Sequence, residues 1–185
     1  MTKLNFTQLV QEKSLWCWAA SGLSIARFLG RDMNVSQSGF IGATALLPLG
    51  TLAVPNEIGF LRAVQLSWKN LGLLPGTGDV GPLDFDSIKE EIDANRPIIA
   101  ELAWATGGGH DVVIYGYDAD ETVHYSDPWP ASPRYQSRSY DEFVSNEEFR
   151  WTAYVYQIGL ASGEDSWQGR GLGTGAGQEP DSAQG

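Results

Sequence analysis

Residues 111–126, DVVIYGYDADETVHYS, decide the fold. Asp111–Tyr117 is rich in β-branched and aromatic residues and reads as a strand. Asp118-Ala119-Asp120-Glu121 reads as a turn, and Thr122–Ser126 as a second strand stopped by Pro128. A hairpin therefore stands at the centre of the C-terminal half. Just upstream, Pro97 releases a further apolar strand over Ile98–Trp104. Downstream, beyond a proline-rich loop, Tyr140–Phe149 reads as short helix or turn and Trp151–Leu160 as a last strand. The N-terminal half has a different periodicity. Trp16–Leu29, WCWAASGLSIARFL, has helical length, is apolar nearly all round, and ends at Gly30, a residue suited to the C-terminal cap. Weaker helical patterns cover Val35–Leu47, Glu57–Leu71 (entered through Pro55-Asn56 and ended by Gly72) and Asp86–Ala94. Gly72–Pro82 is glycine- and proline-rich and reads as loop. Helices followed by mostly antiparallel strands make an α+β fold.

Length and composition bound what this fold is for. The 185 residues are 42% hydrophobic and 11% aromatic, enough for one ordinary core. Apolar mass thins after residue 160. The segment 161–185 holds seven glycines and is expected to be a flexible acidic tail behind a domain spanning 1–160. Twenty-three acidic against 12 basic residues give a net charge of −11, which argues against nucleic-acid binding and a polybasic membrane anchor. One cysteine excludes an internal disulfide, and two histidines leave no Cys/His zinc site. No metal or other cofactor is called for. No stretch reaches the length of a membrane span, so no membrane insertion is expected. The N-terminus, MTKLNFTQLVQEKS, lacks the apolar core of a signal peptide, which points to the cytoplasm unless export is non-classical. A monomer is the default.

Cys17 stands where coil turns into the apolar helix. Unpaired N–H groups and the helix dipole at that place favour a thiolate, and Trp16 and Trp18 limit water. A thiol nucleophile needs a base, and only His110 and His124 titrate near neutrality. Pairing Tyr117 with Thr122 puts even-numbered residues of the first strand on one face with odd-numbered residues of the second. His110 then lies at the open end of the hairpin with Asp127 as its diagonal neighbour, and His124 points to the other face. A turn with an odd number of residues reverses this parity. Asp111, next to His110, points away from its face. Asp127 can orient one nitrogen of His110 and leave the other for Cys17. Gly107-Gly108-Gly109 before His110 permits close approach of a substrate chain, and a Gln11 amide can donate to a developing oxyanion beside the Cys17 N–H. Asp118, Asp120 and Glu121 fall far short of a calcium loop, and GLGTGAG in the tail has no strand-to-helix context for phosphate.

These residues resemble the papain-like cysteine peptidases. Gln11, six residues before Cys17-Trp18-Ala19-Ala20-Ser21, is similar to that superfamily's oxyanion glutamine and nucleophile segment. The glycines leading into His110 resemble its histidine strand, and Asp127-Pro128-Trp129 its third segment, where an Asn or Asp orients the histidine and a Trp two positions on shields the pair. The compact length and the Asp-Pro resemble the bacterial AvrRpt2-type effector proteases and C39-like peptidases. The resemblance implies a papain-like fold with a buried central helix beginning at the catalytic cysteine. It implies catalytic Cys17, His110, Asp127 and Gln11, with substrate held along Trp18, Gly108, Gly109 and Trp129, and a peptide or protein substrate cut at peptide or isopeptide bonds. The same triad serves amine acyl transfer of the transglutaminase type. A non-catalytic peptide-binding module on this fold is the third reading. Residues 30–97 carry no assignable motif, so substrate pockets do not follow from the resemblance.

Overall fold

The computed structural model describes residues 1–31, 34–45 and 54–160. The tail expected over 161–185, and the end of the helix expected over Val35–Leu47, lie outside the described residues.

One half of the fold is an antiparallel sheet of seven strands. Its order is β3 (Thr77–Val80), β8 (Phe149–Tyr156), β4 (Ile98–Trp104), β5 (Gly109–Tyr117), β6 (Thr122–Ser126) and β7 (Tyr135–Ser139), with β1 (Thr2–Lys3) along the end of β5. A separate short pair joins β2 (Leu73–Leu74) to β9 (Gly159–Leu160). The other half is built on α1 (Cys17–Phe28), α2 (Gln37–Gly42) and α3 (Leu61–Asn70). Two more helices, α4 (Phe85–Asp93) and α5 (Tyr140–Val144), pack beside the sheet.

Helix α1 is the pivot. Every residue from Trp18 to Ala26 is buried, as an all-round apolar sequence requires. It lies against β5 on one side and α2 and α3 on the other. Gly22 is where those helices close: a Cβ there would fall 2.7 Å from both Phe40 and Val64. Trp68 of α3 seals the joint by donating its indole N–H to the Gly22 carbonyl at 2.8 Å. A polar chain crosses from this half to the sheet. Ser126 donates to Gln8 Oε1 (3.0 Å), Gln8 Nε2 to Ser24 Oγ (3.3 Å), and Ser24 Oγ to the Ala20 carbonyl (2.6 Å). Fully paired buried groups of this kind fix the mutual placement of the two halves.

The hairpin differs from the simple one in an instructive way. At its turn Tyr117 pairs with Val123, not Thr122, so the connection holds an odd number of residues. That parity alone would put Asp127 on the wrong face. A bulge at Tyr115 takes up one residue, and Ile114 then pairs with Tyr125 and Val113 with Ser126. The expected faces return at the open end, for a reason the residue pattern did not reveal.

Four stretches correct the sequence reading. Gly72–Pro82 is not loop throughout but contains β2 and β3. The proline-rich loop after Ser126 leads into a further strand, β7, and the last strand breaks into β8 and β9. All four residues of β3 are exposed, and β7 (YQSRS) has no buried residue, so neither carries the apolar alternation that reveals a strand. Helix α3 begins at Leu61, four residues later than expected, because 58–60 instead lines a groove against Trp18.

Candidate active site

The start of α1 and the open end of the β5–β6 hairpin meet at one cavity of about 870 Å³. Cys17, Trp18, His110, Asp127 and Trp129 all line it. Cys17 opens the helix, and no side chain caps it, because the N-cap position is held by the buried Trp16. The first-turn N–H groups therefore stay directed at the thiol and at whatever approaches it.

His110 and Asp127 are directly joined, Nε2 to Oδ1, at 2.6 Å, and both are buried. The same Oδ1 accepts the backbone N–H of Trp129 at 2.8 Å. Burial by itself would raise the Asp127 carboxyl. The bond and charge of His110, with the Trp129 N–H and the Ser132 side chain, outweigh it and hold the pKa below the ordinary value. An ionised Asp127 only accepts, so Nε2 carries the proton and Nδ1 is left for a partner. The loop beyond is tied down by the Arg134 guanidinium on the Asp127 carbonyl and by the Gln11 N–H on the Pro128 carbonyl (3.0 Å). A thiol at a helix start and a histidine oriented by a carboxylate thus share one cleft.

Residues 2–148 match the family described as papain-like cysteine protease AvrRpt2. The chain belongs to this family. No curated protein matches the sequence. The chain is accordingly a papain-like cysteine protease, with peptide or protein as its substrate class.

In this protease the expected thiolate meets an opposing environment. Burial, then the charge of Asp111, push the Cys17 thiol up to about 12, against the backbone N–H groups of Asp111, Trp18 and Cys17 itself. Burial of the thiol thus opposes the field of the helix start. No hydrogen bond joins Cys17 to His110 among the described residues.

Gln11 is buried but does not line the cavity, and its amide is engaged. Nε2 donates to the carbonyls of Lys13 (2.8 Å) and Ser14 (2.9 Å), while Oε1 has no partner among the described residues. Gln11 thus shapes the turn that delivers the chain to Cys17. Gly107 and Gly108 sit at φ +95° and +91°, the left-handed region, and form the β4–β5 turn ahead of His110; with Gly109 they also line the cavity. Trp129 is 38% exposed at the rim. The ring stacked on His110 is that of Trp104, with centroids 5.6 Å apart and an interplanar angle of 28°. Nothing in the pattern of β4 singled out Trp104; only the β4–β5 register, with Leu102 opposite His110, brings it there. His124 lies away from the cavity, bonded through Nε2 to Asp118 at 2.9 Å. The far wall of the groove is the segment 58–60, held by the indole N–H of Trp16 on the Pro55 carbonyl (3.1 Å) and of Trp18 on that of Glu57 (3.3 Å).

No helix among the described residues is long and apolar enough to cross a membrane. Among the described residues no three His, Cys, Asp or Glu side chains converge as a metal site would require.

Proposed function

We propose that Cys17 is the nucleophile, His110 the general base and acid, and Asp127 the group that orients His110, in hydrolysis of peptide or isopeptide bonds. The observation that carries this is the 2.6 Å bond between His110 Nε2 and Asp127 Oδ1 at the edge of the cavity that Cys17 opens. With Nε2 committed, Nδ1 takes the proton of the thiol as the substrate carbonyl arrives. The sulfur attacks the carbonyl carbon, and the oxyanion forms against the Cys17 N–H. His110 then gives the proton to the leaving amine as the C–N bond breaks, leaving a thioester on Cys17. Water, deprotonated by His110, attacks the thioester and releases the acid and the thiol.

With burial and Asp111 pushing the Cys17 thiol up, proton transfer to His110 as substrate arrives is the activation step of this reading. Gln11 is assigned as second oxyanion donor, exchanging one of its two carbonyl acceptors, Lys13 or Ser14, for the oxyanion. Trp18, Gly108, Gly109 and Trp129 border the substrate backbone. Cleavage of a denatured-protein digest, read by mass spectrometry, tests the assignment. Cys17→Ala is expected to abolish new peptide termini, and His110→Ala to do nearly the same. Undiminished cleavage by Cys17→Ala overturns it.

A further inference from the structure

The floor of the groove holds two carboxyl groups that this chemistry does not use. Glu101 of β4 and Asp111 of β5 stand opposite each other in the antiparallel register, so their side chains share a face. Both line the cavity with Cys17 and Trp18. Asp111 is only 3% exposed, and its Oδ1 has no hydrogen-bond partner among the described residues. Neither carboxyl belongs to an ion pair among the described residues. A buried, unpartnered carboxyl beside a second one is costly, and a cation placed between them removes both penalties.

A metal ion is not the cation this site suits, since no third ligating side chain converges there among the described residues. The approach to the pair is apolar instead. Leu15, Trp18, Ile58 and Phe60 line the same cavity, with Ile58 and Phe60 68% and 70% exposed. An apolar wall ending in carboxylates matches a lysine or arginine side chain, whose aliphatic stem packs while its charged head seeks acid. The net charge of −11 also draws basic chains toward the protein.

We propose that Glu101 and Asp111 form a specificity subsite that takes a basic side chain of the substrate, close to the scissile bond. The proposal rests on the reading of Cys17 as nucleophile only for its position along the substrate; the subsite itself is a binding site and is testable without turnover.

Two measurements separate the two claims. In the first, Cys17→Ala protein is titrated by calorimetry with peptide amides that differ only in arginine, norleucine or glutamate at one position. The arginine peptide is expected to bind at least about tenfold more tightly than the norleucine peptide at one position. That ratio is expected to collapse in Glu101→Gln and in Asp111→Asn, and Glu101→Lys is expected to turn it toward glutamate. Melting curves identify any variant that fails to fold, and Glu101→Gln, at the half-buried residue, carries the test if Asp111→Asn is one. In the second, peptidyl acyloxymethyl ketones with the same side chains react with protein that retains Cys17. The thiol sulfur displaces the carboxylate, which leaves with the thiol proton as the free acid, and a thioether remains. Faster labelling by the arginine probe is expected. Equal binding of all three peptides at every position, or a preference that survives in Glu101→Gln and Asp111→Asn, overturns the subsite. A binding preference without any labelling of Cys17 overturns the nucleophile and leaves the subsite standing.

Discussion

The imidazole of His110 and the carboxylate of Asp127 meet at 2.6 Å only because the hairpin joining them changes register at Tyr115. Their pairing is a product of sheet geometry: an odd turn and one bulge cancel, and the two side chains arrive on one face. The carboxylate is further fixed by the Trp129 N–H, and the ring by Trp104. A histidine held from two sides has little rotamer freedom to lose in the proposed transfer of the thiol proton.

Removing the acceptor should therefore cost activity through orientation. Asp127→Ala is expected to lower kcat by about 10²–10⁴-fold, the range over which a positioned acid–base group contributes. Asp127→Asn keeps an oxygen for Nε2–H and should fall less. Steady-state kinetics on a peptide substrate check both, and equal loss in the two variants would mean that charge rather than orientation is what Asp127 supplies.

The Cys17 thiol carries its own expectation. Burial, then Asp111, hold its pKa up to about 12, so the thiolate fraction of resting protein rises with pH throughout the neutral range. Iodoacetamide labelling of Cys17 should accelerate steadily from pH 6 to pH 9, by about tenfold per unit across the range. A rate flat across that range would show that a thiolate–imidazolium pair already exists in the free protease.

Much of this site was legible in the sequence, and the reason is local. Cys17 at a helix start, glycines before His110, and a proline stop after Asp127 each report their own backbone. The expected bounds of strands β4 and β6 match the observed ones because most of their residues are buried and Pro97 and Pro128 bracket them. What stayed hidden depends on pairing between distant segments. The stack of Trp104 on His110 and the opposition of Glu101 and Asp111 both follow from the β4–β5 register, which no composition or spacing reports. The edge strand β3 was hidden because it buries nothing. Helix position reports the dipole at Cys17, whereas the burial that pushes its thiol up follows only from the packed surroundings.

Asp111 has a consequence for stability. Burial, then the charge of Glu101, raise its pKa well above the ordinary carboxyl value. In the unfolded chain it ionises near pH 4. Above that pH the unfolded state releases a proton the folded state keeps, so stability declines as pH rises until the folded-state pKa is passed. Asp111→Asn removes this penalty. Thermal melts at pH 4, 5.5 and 7 should show the variant gaining on the natural protein at each step, with an advantage of several degrees at pH 7. A constant difference across the series would show that Asp111 is ionised in the fold, already paired with a cation.

The wall of the groove gives the last expectation. Gly59 lies flat on Trp18, and a Cβ built there falls 2.2 Å from two atoms of the indole. Since backbone and a large buried ring face each other, the neighbour cannot yield by a small rotation. Gly59→Ala must push the 58–60 segment outward or turn Trp18 away from Cys17, and either change widens the groove next to the thiol. The segment is also held by Trp16 and Trp18 through the Pro55 and Glu57 carbonyls, which limits how far it retreats. Overpacking of this kind costs about 1–3 kcal/mol, while the groove loses its shape at the point of contact. KM for peptides is expected to rise about tenfold or more, with a modest drop in melting temperature. Gly78→Ala on β3 is the control, since its Cβ would meet Val155 at an ordinary 3.4 Å away from the site. A KM unaffected in Gly59→Ala would mean that substrate does not run between Trp18 and the 58–60 wall.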